Sequence, residues 1–112
     1  MRMWLVNPET MCRKHLLGEH YELHMLSGSL LKGRSIQGHL EKGNLEPSLL
    51  HTRHSELVGE MTRRGMHHRS PLPAIDVSSW GSGYVDPTTA EAELRRRCGV
   101  CRELGKLGSE EE

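Results

Sequence analysis

Met1, His15, Glu19 and Glu22 are the residues of this chain whose types and spacing could do chemistry. An α-amino group has a pKa near ~8, so a sizeable fraction is unprotonated around neutrality and nucleophilic without the desolvation a lysine needs. Beside paired acids, such an amine is equipped to form a Schiff base. The acids come from a helical run. At ~100° per residue, Cys12, Leu16, Leu23, Leu26 and Leu30 share one stripe, with Glu19 inside it. His15 and Glu22 line the edge of that stripe, so His15, Glu19 and Glu22 can converge on one pocket while His20 and His24 point elsewhere. A carboxylate inside an apolar stripe either belongs to such a pocket or pairs with an arginine, and Glu22 taken alone reads equally well as a solvated side chain.

The elements that must hold these residues carry clear end signals. Asn7-Pro8-Glu9 reads as an N-cap, a proline at the first helical position and an acid in the first turn, predicting a helix that runs to about Leu30 or Lys32. Gly33 to Pro47 reads as a loop with a short helical turn at Ser35 to Glu41. A second helix is predicted from Pro47-Ser48 to a glycine cap at Gly65, with Leu50, His54, Leu57, Val58 and Met61 buried. Residues 66–85 show little periodicity. Asp86-Pro87 repeats the cap-plus-proline signal for a third helix reaching about Leu104. The expected fold is all-α: a single small domain over residues 1–108, about three helices with long loops, and an acidic disordered end at 109–112.

Composition bounds the rest. The chain has 112 residues, 35% of them hydrophobic and none phenylalanine, which allows only a modest core. No apolar run approaches the ~20 residues of a membrane span, so no membrane partner is expected. Three cysteines, an odd number, suit a reducing compartment rather than a disulfide framework, and a cytoplasmic monomer is expected. The zero formal net charge conceals an asymmetry. Residues 1–72 carry ten Lys and Arg against seven acids, and the remainder five against eight.

The run HLLGEHYELHML, starting at His15, resembles the signature helix of the pyrimidine-dimer DNA glycosylases of the phage endonuclease V type, and RHSELVGEMTRRGMHHRSPL at 53–72 resembles their second helix and the loop closing it. The resemblance implies a DNA repair glycosylase with abasic-site lyase activity on UV-damaged double-stranded DNA, needing neither metal nor organic cofactor. It puts the attacking amine on Met1, the cation-stabilising and eliminating carboxylate on Glu22, a site histidine on His15 and a second acid on Glu19. The bulky Arg2 disfavours removal of the initiator. Where the family places phosphate-gripping arginines, this chain has Tyr21 and Met25. Arg2, Arg13, Lys14, Lys32, Arg34, Arg53, Arg63, Arg64 and Arg69 are the cations available to take over phosphate contacts. Trp80, in a glycine-rich segment with Tyr84, either stacks on a damaged base or covers the small core.

Cys98 and Cys101 in RRRCGVCREL form half of a zinc site or a redox pair. His51 with His54, or His67 with His68, would have to complete a metal site. On one continuous helix the two cysteines would face the same side as Leu94, so two small buried cysteines and no metal are expected. His20 and His24 lack a third ligand on their own face. Two other functional classes stand beside the glycosylase: a catalytically inactive DNA-binding protein of the same fold, and a small zinc-binding interaction module.

Overall fold

The computed structural model describes residues 1–78 and 83–110, with side chains described through Leu107; Trp80 lies outside the described residues. The chain is helical, and no strand occurs among the described residues. The helices are α1 (Arg13–Leu31), α2 (Gln37–Glu41), α3 (Leu50–Arg63), α4 (Pro87–Arg97) and α5 (Gly99–Glu110), with single 3₁₀ turns at Pro8–Thr10 and Pro47–Leu49. None is long and apolar enough to cross a membrane.

Helix α1 buries Leu16, Glu19, Leu23, Leu26 and Leu30, the stripe expected from its period. It does not begin at Asn7-Pro8. Asn7 caps only the 3₁₀ turn by accepting from the Glu9 N–H, and Met11 then turns extended at φ −103°, ψ 141°. A tertiary contact overrides the local signal. The Met11 side chain is fully buried, and its carbonyl accepts a 2.6 Å hydrogen bond from Arg64, so the residue cannot continue a helix. The cap of α1 is instead Cys12, whose sulfur accepts from the His15 N–H.

Helix α3 ends as predicted, with Gly65 at φ +82° supplying the left-handed conformation that glycine adopts without a Cβ clash. Its buried face, however, includes Arg53 and Glu60 as well as Leu50, His54, Leu57 and Met61, while Val58 is only half-buried. Arg53 and Glu19 explain each other. The Arg53 Nε and Nη2 donate to the two Glu19 oxygens at 2.6 and 3.0 Å, with 2% and 0% of the respective side chains exposed. Such a fork-to-carboxylate pair joins α1 to α3 in the middle of the core. Arg53 is therefore a core residue and takes no phosphate.

Two more arginines fix the N-terminal segment. Arg64 pairs with the buried Glu60 and donates to the carbonyls of Pro8 and Met11. Arg95 donates to the Thr10 carbonyl and hydroxyl and to the Cys101 carbonyl. Further upstream the Met3 N–H donates to the Asn44 carbonyl at 2.8 Å, and Leu5 holds φ +55°, a conformation costing ~1–2 kcal/mol, between the buried Trp4 and Val6.

The predicted third helix is two helices. Asp86 caps α4 by accepting from the Thr88 N–H, as expected, but Cys98 leaves the helical region at φ −127°, ψ 113° and α5 restarts at Gly99. Cys98 and Cys101 thus sit at a corner rather than on one helical face. Helix α5 also runs past Leu104 to Glu110, beyond the expected end of the third helix.

The buried pair generates a stability prediction. Arg53→Met leaves Glu19 buried and uncompensated and is expected to lower unfolding free energy by ~3–5 kcal/mol, whereas Glu19→Leu combined with Arg53→Met recovers most of that loss. Urea unfolding of the two variants checks both expectations.

Candidate active site

A cleft of about 260 Å³ opens beside the first half of α1, lined by Arg2, Trp4, Lys14, His15, Gly18, Glu19, Glu22 and Arg97. The helical period brings His15, Gly18, Glu19 and Glu22 to this side. The pinned N-terminal segment lays Arg2 and Trp4 across them, and the end of α4 adds Arg97.

Glu22 is half-buried, and burial pushes its carboxyl above the ordinary value of 4.5. The terminal ammonium, the Arg2 backbone N–H and the Arg2 guanidinium pull it partly back, and Glu19 pushes it further up. The terminal charge is also felt by His39 on α2, whose pKa falls mainly through burial. The amine of Met1 therefore lies near enough to Glu22 to bias its ionisation. A carboxyl raised by burial and within reach of an ammonium's charge can both stabilise a cation and carry a proton.

The other acid is differently employed. Both Glu19 oxygens are taken by Arg53, so its side chain reaches the cleft as part of a fixed ion pair. His15 is held uncharged near neutrality by burial and by Lys14 and Arg97. Its Nδ1 lies 3.2 Å from the Cys12 sulfur, which leaves only Nε2 for the cleft.

Trp4 and Arg97 belong to this site and were not anticipated. The Trp4 ring is 5% exposed, stands edge-on to His15 at 6.1 Å, and carries the Arg2 guanidinium 4.3 Å and the Arg97 guanidinium 5.7 Å from its centroid. Arg2 and Arg97 both lie over it, and burial together with Arg97 lowers the Arg2 pKa. Two cations held against an aromatic face suit an anionic ligand. The triple arginine at 95–97 was a signal for α4's basic end, but only the fold shows that Arg95 holds the Thr10 carbonyl, that Arg96 and Arg97 both donate to Glu93, and that Arg97 of the three lines the cleft.

Of the remaining expected DNA contacts, Arg13, Lys32, Arg34 and Arg69 are exposed away from the cleft lining, and Arg63, also exposed, donates to Glu60. Arg64 is committed to Glu60 and to backbone carbonyls. Tyr21 and Met25 are 66% and 44% exposed on α1. With Lys14 they flank Glu22 on one helical face, whereas Arg13 projects to the opposite face. His20 and His24 also turn away from the cleft. Burial and the rings of His24, His54 and His68 lower His20 to about 4, so this histidine adds no positive surface at neutral pH.

Searches of curated proteins and of solved structures found no match. The family model for pyrimidine dimer DNA glycosylases does match, over residues 1–74, a span that holds Met1, His15, Glu19, Glu22 and Arg53 and stops short of Arg97. With two thirds of its length so matched and a cleft built from that stretch, the chain belongs to the pyrimidine dimer DNA glycosylases, a family of DNA repair enzymes.

Proposed function

We propose that the chain removes a damaged pyrimidine and cuts the strand at the resulting site, as a glycosylase with associated abasic-site lyase activity on pyrimidine dimers in duplex DNA, working through a Schiff base on the Met1 amine. The observation that supports this most is that the charge of the Met1 amine acts on Glu22, a carboxyl raised by burial that lines a cleft with Arg2 and Arg97.

The duplex docks along Lys14, Tyr21 and Met25, and the lesion nucleotide leaves the stack, because C1′ is out of reach in intact B-form geometry. Arg2 and Arg97 receive a flanking phosphate. The Met1 nitrogen lone pair attacks C1′, and the glycosidic bond breaks with its electron pair leaving on the base. The nitrogen then gives up one proton and O4′ takes one as the C1′–O4′ bond opens, leaving a protonated Schiff base. The Glu22 carboxylate stabilises the positive charge, takes the 2′ proton, and the C3′–O bond breaks so that phosphate leaves. Glu19 acts as a positioning residue, since its ion pair with Arg53 fixes the turn of α1 that presents Glu22. Exposed Tyr21 and Met25, standing where the family grips phosphates, favour a second reading: a protein that binds damaged duplex without cleaving it.

Sodium borohydride with an irradiated duplex is expected to trap a covalent adduct that mass spectrometry maps to the Met1 amine, and an added residue or acetyl group at the terminus is expected to abolish it. Binding with no adduct on dimer-containing or abasic DNA would support the second reading. Glu22→Gln is expected to bind the same duplex within a few-fold of wild type and to lose strand cleavage; an unaltered cleavage rate would refute its role.

Stability should move the other way. The folded pKa of Glu22 lies above its unfolded value, so the folded state binds the extra proton and stability is lost as pH rises from 4.5 through the folded pKa. Glu22→Gln is therefore expected to melt above wild type at pH 7 and level with it below the unfolded carboxyl pKa, as thermal denaturation at the two pH values would show.

A further inference from the structure

Cys12 and His15, at the start of α1, meet Cys98 and Cys101, at the α4–α5 corner, with one ligand atom from each lying within 4.8 Å of the others. The Cys12 and Cys98 sulfurs are 3.8 Å apart, and the His15 Nδ1 lies 3.2 Å from Cys12 and 3.8 Å from Cys101. A disulfide would need about 2.0 Å. A tetrahedron with zinc–sulfur bonds of about 2.3 Å has sulfur–sulfur edges of about 3.8 Å, so these spacings are those of a ligand shell. Backbone N–H groups already point at all three sulfurs: Cys12 N–H at the Cys101 sulfur, His15 N–H at Cys12 and Cys101 N–H at Cys98, at 3.2–3.4 Å. Two of these are the helix-cap contacts of α1 and α5, and they hold the Cys12 and Cys98 sulfurs in place beside Cys101. The break in helix at Cys98, ahead of Gly99, places its sulfur at the corner with Cys101 rather than on one continuous helical face.

We propose that Cys12, His15, Cys98 and Cys101 bind a zinc-class divalent ion in a closed structural site of three thiolates and one imidazole, which docks the α4–α5 corner onto α1 and so holds Arg97 over the cleft.

A second cluster carries the same inference independently. His20 and His24 on α1, His54 on α3 and His68 beyond it bring one ring nitrogen each to within 4.8 Å of the others. The Nε2 atoms of all four are buried without a hydrogen-bond partner among the described residues. A buried polar atom left unsatisfied is destabilising, so four at one point demand a common partner. Ring centroids stand 4.7, 4.8, 5.0, 5.1 and 5.3 Å apart. Four imidazoles around one ion at metal–nitrogen distances of about 2.0–2.1 Å put their centroids about 5 Å apart. The geometry points to a tetrahedral all-imidazole site for a divalent d-block ion, zinc by its geometry, that staples α1, α3 and the following loop together.

Metal analysis of the full-length chain prepared in zinc, followed by exchange to cobalt(II), tests both sites without reference to DNA cleavage. Close to two ions per chain are expected, with tetrahedral cobalt bands and a thiolate-to-cobalt charge-transfer band. Cys98→Ser with Cys101→Ser is expected to remove one ion and the charge-transfer band; His54→Asn with His68→Asn is expected to remove the other ion and keep that band. If either variant fails to fold, the unaltered chain still decides. Absence of the charge-transfer band overturns the thiolate site, and one ion or fewer per chain in the presence of that band overturns the imidazole site.

Discussion

The bidentate pair between Glu19 and Arg53 is the constraint around which the rest of this small protein is arranged. A core without phenylalanine has few large side chains with which to lock two helices in register, and a buried fork-to-carboxylate contact specifies both rotation and height where leucines alone tolerate sliding. Once α1 is fixed at Glu19, the residue one turn on, Glu22, must face the cleft, and the histidines at 20 and 24 must face α3. The reactive edge and the histidine cluster are two consequences of one rotational setting.

Arginine is used here largely as scaffold. Arg53 neutralises the buried Glu19, Arg64 and Arg95 hold the carbonyls of Pro8, Thr10 and Met11, and Arg102 holds those of Arg95 and Arg96 at the end of α4. The guanidinium fork makes this possible, since it satisfies several backbone acceptors at once where lysine would offer a point charge. The basic excess of the first 72 residues therefore overstates the cations that DNA can reach. Those left at the cleft are Arg2, Lys14 and Arg97, and two of them are already organised on the Trp4 face.

Much of the fold was legible in the chain because it is written locally. The stripe of α1, including the anomalous acid, follows from a period of 3.6. Asp86-Pro87 and Gly65 mark helix ends through backbone chemistry that needs no partner. What could not be read depends on distant partners. The helix start at Asn7-Pro8 yields because Arg64, more than fifty residues on, takes the Met11 carbonyl. Arg53 and Glu60 look solvated by type and are buried by pairing. Most clearly, Cys12-x-x-His15 and Cys98-x-x-Cys101 are each incomplete, and only the fold joins halves separated by 86 residues. Local spacing suggested the wrong histidines for that cluster because those nearest in pattern were not those nearest in space.

The hydrogen bond from Met3 to the Asn44 carbonyl has a kinetic meaning. It anchors the N-terminal segment at Met3, so the Met1 nitrogen sits on a tether of at most about 7 Å from that anchor. In the mechanism proposed above, an amine on so short a tether acts as a reagent at high effective molarity, its translational freedom already surrendered when the protein folded. The same tether sets a ruler. One extra residue lengthens it by about 3.5 Å, more than a hydrogen bond, so in that mechanism the distance from anchor to amine sets the reach of the nucleophile.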